Sequence, residues 1–148
     1  MAVELSLFDL AGRPSAESGP NGSVDSWAQV VAAAVEPCLV VDRDGRVVAA
    51  SPGCGELFSI PDVARVRGLH LVGEVLELRD FSGSAGKLPE WEIDKIPPLL
   101  AITSAGLARG LLRVKGEHGV STVDAISVPL GGRAGITGSL TFFAQVNR

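Results

Sequence analysis

The stretch VEPCLVVDRDGRVVAASPGCGELFSI (35–60) decides how the chain is read. CLVVD (38–42) and RVVAA (46–50) are short runs rich in β-branched residues, separated by Arg43-Asp44-Gly45. A glycine at that point supplies the positive φ of a tight turn, so the two runs are expected to form a hairpin. Ser51 and Pro52 then open a short helix through Leu57 and Phe58, because serine caps a helix N-terminus and proline is tolerated in the first turn.

Outward from this hairpin, Ser26 and Gln29 make a capping-box pattern, and Trp27, Val30, Val31, Ala34 and Val35 fall on one stripe of a helix over 26–36 that Pro37 ends. Upstream, GRPSAESGPNGS (12–23) has the composition of a flexible linker. In MAVELSLFDL (1–10) the apolar positions suit a strand and a helix equally. The expected division is therefore an N-terminal arm and linker over 1–24 and one folded domain over 25–148.

Downstream, residues 61–80 read as helical in pieces and FSGSAGK (81–87) as a break. Pro97 and Pro98 start a second substantial helix in which Ile96, Leu99, Leu100, Thr103 and Leu107 share a face, ending near Gly106 or Gly110. LLRVK (111–115), VSTVDAISVPL (120–130) and ITGSLTFFAQV (136–146) read as three strands joined by glycine-bearing turns. Two strands, a helical middle and three strands argue for an α+β domain with a five-stranded antiparallel sheet, its helices on one face.

The composition permits such a core. Of 148 residues 46% are hydrophobic and 20% charged, and a domain of this size buries roughly 68–70% of the surface its unfolded chain exposes without needing disulfides or metal. Thirteen basic against seventeen acidic residues give a net charge of -4 with no basic run, so direct nucleic-acid binding is not expected. No apolar stretch approaches the ~20 residues of a spanning helix and no basic leader begins the chain, so the expectation is a soluble cytoplasmic protein with no membrane partner.

The element order, the Asp42-to-Gly45 turn, the Ser51-Pro52-Gly53 step into a leucine-bearing helix, and the closing SVPLGGRAGITGSLTFFAQV (127–146) resemble a PAS domain, a bacterial sensory and dimerisation module. The resemblance covers about residues 25–148; Ser51 stands where many members of that family carry Asn. It implies a five-stranded PAS sheet with an N-terminal flanking helix, and a choice among flavin, haem, small-molecule and ligand-free types. The flavin-adduct cysteine motif is absent, and Cys38 and Cys54 read as small buried hydrophobes. A haem would need an axial histidine, for which His70 is a weak candidate, while His118 lies in a turn. No histidine has metal-ligand neighbours. No nucleophile has a motif partner, and Asp80, Glu90, Glu92 and Asp94 read as a solvated acidic rim. No cofactor, metal or catalytic activity is therefore expected.

Two readings follow. As a sensor, the domain encloses a small apolar ligand among Leu57, Phe58, Leu100, Thr103, Leu112 and Leu140. As a ligand-free adaptor, it fills that space with its own side chains and works by contact, for example with a kinase or transcription factor. Both faces of the last strands carry apolar residues and need cover, so a homodimer through Trp27, Val30, Val31, Ile126, Val128 and Phe143 is expected. The alternative is that the helix covers its own sheet and leaves a monomer.

Overall fold

The computed structural model describes residues 20–146; the arm and most of the linker expected before the domain lie outside the described residues. In chain order the elements are α1 (Pro20–Ala32), β1 (Cys38–Asp42), β2 (Val47–Ala50), α2 (Pro52–Phe58), a 3-10 turn (Val63–Val66), a wide turn (Leu71–Val75) and β3 (Glu77–Arg79). They continue with α3 (Glu90–Ile93), α4 (Pro97–Ser104), β4 (Ala108–Gly116), β5 (Gly119–Gly132) and β6 (Gly135–Gln145).

The β1–β2 turn forms as its residues dictate. Gly45 takes φ 78°, and the Asp42 carboxylate accepts from the amides of Asp44 and Arg46 at 2.9 and 3.0 Å. Ser51 does more than cap α2. Its buried hydroxyl accepts from the amides of Cys54 (3.2 Å) and Cys38 (3.0 Å) and donates to the Glu36 carbonyl (2.6 Å). Ser51→Ala leaves these buried groups unpaired and is expected to cost about 2 kcal/mol in a urea titration.

The sheet has six antiparallel strands in the order β2-β1-β6-β5-β4-β3, one more than expected. The extra strand, β3, sits in the stretch read as helical pieces. Three residues carry no period, and β3 owes its form to Leu78, buried in the core opposite Val114 of β4. Other boundaries move as well, among them the end of α1, which stops at Ala32 rather than at residue 36 and leaves Val35 of the expected stripe exposed. α1 begins at Pro20, inside the expected linker, rather than at Ser26, because docking of Val24, Trp27 and Val31 outweighs the weak propensity of its first turn. α4 stops at Ser104, with Ala105 left-handed at φ 56°. β4 consequently starts at Ala108, where pairing with Ser127 of β5 takes over.

The two faces of the sheet are covered differently. On the inner face α2, the two turns and α4 enclose a core that includes Leu39, Val41, Leu71, Leu76, Leu112, Val123 and Phe143. On the outer face α1 lays Val24, Trp27 and Val31 over Cys38, Val40, Leu130 and Leu140. Among the described residues no helix is long and apolar enough to cross a membrane.

Candidate functional site

The residues expected to line one pocket separate. Leu57 and Phe58 pack on the inner core and Leu112 belongs to it; the Phe58 ring meets Phe143 edge-on, with centroids 5.0 Å apart. Leu140 lies on the opposite face, beneath α1. β6 turns Ser139, Thr141 and Phe143 inward instead, a one-step difference in facing that apolarity could not reveal while both faces are buried. Leu100 (37% exposed) and Thr103 point outward, because α4 buries Pro97, Pro98 and Ala101. Small polar residues on the strands let it sit close. Ser139 donates to the Pro98 carbonyl at 2.7 Å, and the buried hydroxyls of Ser127 and Thr141 are 2.6 Å apart.

The expected dimer surface divides as well. Trp27 (8% exposed) and Val31 (1%) pack on their own sheet with Val128 beside them, and Phe143 faces the inner core. Val30 is exposed, while half-buried Ile126 lies opposite Phe142 on the outer face. Beyond α1 the outer strip continues with exposed Leu111 and Val120.

A groove of about 490 Å³ opens where β3 and β4 meet α3. Leu78, Ile96, Pro97 and Leu112 reach it from the core, and Phe81 (59% exposed) and Trp91 (67%) form its aromatic margin. Each aromatic carries a cation: the Arg113 guanidinium lies 5.8 Å from the Phe81 ring centre and Lys95 Nζ 5.3 Å from that of Trp91. Arg113 also donates to the carbonyls of Asp80 and Ser82, and Arg109 is paired with Asp124 at 2.7 Å, which holds that carboxyl below its usual range. The Asp80 carboxylate accepts from the Ser82 hydroxyl and from the amides of Ser82 and Gly86, and is likewise held low, chiefly by Ser82. The acidic-rim reading noticed Asp80 and Glu92 but missed the groove. The available signal was Phe81 and Trp91, two large aromatics in an otherwise polar, turn-rich segment.

Taken together, a hairpin, a helical middle, three long strands and the order 2-1-6-5-4 before the added edge strand decide the comparison. The chain has the PAS-like fold. The PAS domain of a Colwellia psychrerythraea protein superposes with a TM-score of 0.58 at 16% identity, covering 82% of this chain and 95% of that one. That of Bordetella pertussis BvgS gives 0.54 at 11%, covering 84% and 85%. Vibrio cholerae VqmA gives 0.57 at 14%, covering 84% of this chain but 50% of that one. Neither a protein-family model nor a curated protein matches the sequence.

In this PAS-like domain His70 is half-buried, and its backbone amide donates to the Glu74 carboxylate at 2.7 Å. No group of three metal-ligating side chains occurs among the described residues. The two cysteines are free and buried, and Cys54 Sγ donates to the Cys38 carbonyl at 3.2 Å. Burial pushes the Cys38 thiol up to about 11 and the Cys54 thiol up to about 12. Unfolded thiols ionise near 9.0 while the folded ones keep their protons, so stability is full below that pH and falls as pH rises through it. Urea midpoints are expected to hold to about pH 8.5 and drop above it, with the drop reduced in Cys38→Ala/Cys54→Ala. The chain contains no tyrosine to imitate this. Neither thiol should react with a maleimide until the protein is denatured.

Proposed function

We propose that this PAS-like domain is a cytoplasmic signalling module that works by protein contact, without catalysis of its own and without a cofactor. The observation that carries this reading is the inner face. Phe58 and Phe143 meet where an enclosed ligand would lie, and Leu57 and Leu112 pack into the same core. A space filled by the protein's own side chains leaves the surface as the route for signals. The similarity to a PAS domain from a two-component sensor histidine kinase and to VqmA, described as a dimer among LuxR-type receptors, supports regulatory partners of the kinase or transcription-factor kind. Self-association belongs to the same proposal, through exposed Val30 on α1 and the outer strip that α1 leaves open at Ile126 and Val120.

Native mass spectrometry and light scattering test both parts. The expected result is a ligand-free dimer of the 15.3 kDa chain, which Val30→Asp converts to folded monomer. A co-purifying small molecule, or a Soret band lost in His70→Ala, would overturn the contact reading in favour of sensing. A monomer at micromolar concentration would remove the dimer. The groove of about 490 Å³ favours small-ligand sensing as the second reading, since its volume is in the range of ligand sites.

A further inference from the structure

β4 is longer than the strand that borders it. β3 pairs only with Arg113–Lys115, so the edge of β4 from Ala108 to Leu112 has no strand beside it. In an antiparallel pair alternate residues turn their N–H and C=O groups away from the partner strand. Among the described residues no other backbone group bonds to that edge. Edges of this kind are templates for a further strand.

The groove runs along this open edge, with Gly110, Leu111 and Leu112 in its wall. Arg79, Lys95, Arg109 and Arg113 line it together with Asp80 and Glu92; of these cations Arg79 is paired with Glu77 and Arg109 with Asp124. Lys95 and Arg113 form no salt bridge among the described residues; each lies over an aromatic ring. The two sides of the edge also differ in character. Arg109, Leu111 and Arg113 turn to one side of β4 and Gly110 and Leu112 to the other, so an added strand meets two arginines flanking Leu111 on one side and Leu78, Ile96 and Leu112 on the other.

We propose that the groove takes an extended acidic peptide, alternating acidic and apolar residues, which pairs as a strand with β4 at Ala108–Leu112. The backbone edge gives affinity, the apolar floor accepts alternate side chains, and the cations select acidic sequence. This peptide class is the partner chemistry of the contact reading above and rests on it.

The test titrates fluoresceinyl-Gly-Glu-Val-Glu-Phe-Glu-Val-Glu-amide, labelled through its N-terminal amine, against the protein by fluorescence polarisation. Binding is expected that weakens with salt, falls about tenfold in Lys95→Glu, and nearly vanishes when lysine replaces every glutamate of the peptide. Methylating alternate backbone nitrogens of the peptide is expected to cost about a hundredfold, since it blocks the ladder, and bound peptide should slow amide exchange within Ala108–Leu112. Equal binding of the methylated or the lysine peptide, unchanged exchange at Ala108–Leu112, or no binding at all overturns the proposal. Lys95 is exposed, so Lys95→Glu is expected to fold, which circular dichroism checks. The native mass of the same sample reads the contact proposal separately: a ligand-free chain that ignores the peptide refutes the docking site alone.

Discussion

Gly138→Ala is expected to destabilise the domain by about 3 kcal/mol or more, enough to lower its thermal midpoint by roughly 10 °C or more for a domain of this size. A Cβ at this position would sit 2.3 Å from the Val41 carbonyl oxygen and 3.1 Å from a methyl of Val24. The first contact is with backbone on the neighbouring strand, where Asp42 pairs with Gly138, so no side-chain rotation relieves it. The strands must part or α1 must lift, and both lose core. Differential scanning calorimetry measures the effect. A midpoint within a few degrees of the parent would mean that β1 and β6 are less tightly paired than described.

Val31→Asp has the second large effect. Val31 is among the most deeply buried residues and lies on the sheet-facing side of α1, packed with Trp27 against Val40 and Leu140, and an unpaired carboxylate cannot remain there. The expected loss is about 3–5 kcal/mol of α1 docking. It should appear as a red shift of Trp27 emission, resolved in a Trp91→Phe background, and as rapid amide exchange over α1. Since α1 covers its own sheet, the variant is expected to undock a helix, not to release a folded monomer from a dimer. A variant that turns a dimer into a monomer of unchanged urea midpoint would restore α1 as an intermolecular element.

Local patterns carried most of the fold. Ser51, Pro52 and Gly45 each have a conformational role set by their own chemistry, and the β-branched runs around them have few alternatives, so hairpin and α2 were legible. What failed were features decided by distant partners. β3 is three residues held by pairing with β4, and the first turn of α1 is held by the sheet beneath it. The facing of Leu140 was hidden because apolar residues on both sides of β6 remove the contrast that reveals facing. The buried side of α4 is met by Ser139, whose hydroxyl donates to the Pro98 carbonyl and which a search for apolar stripes passes over. The groove escaped for a related reason, since it draws on residues from Leu78 to Arg113 that meet only through the sheet.

The Ser51 hydroxyl has a mechanical meaning beyond capping. Glu36 lies just after the helix on the outer face, Cys38 opens the sheet, and Cys54 lies in the first turn of the helix on the inner face. One oxygen atom is bonded to the backbone of all three. A displacement of α1 that carries Glu36 with it must either drag the start of α2 or break that node. The two sides of the sheet are thus geared together around its edge, without any side chain having to transmit force through the strands. A partner pulling on the outer helix would be felt at Phe58.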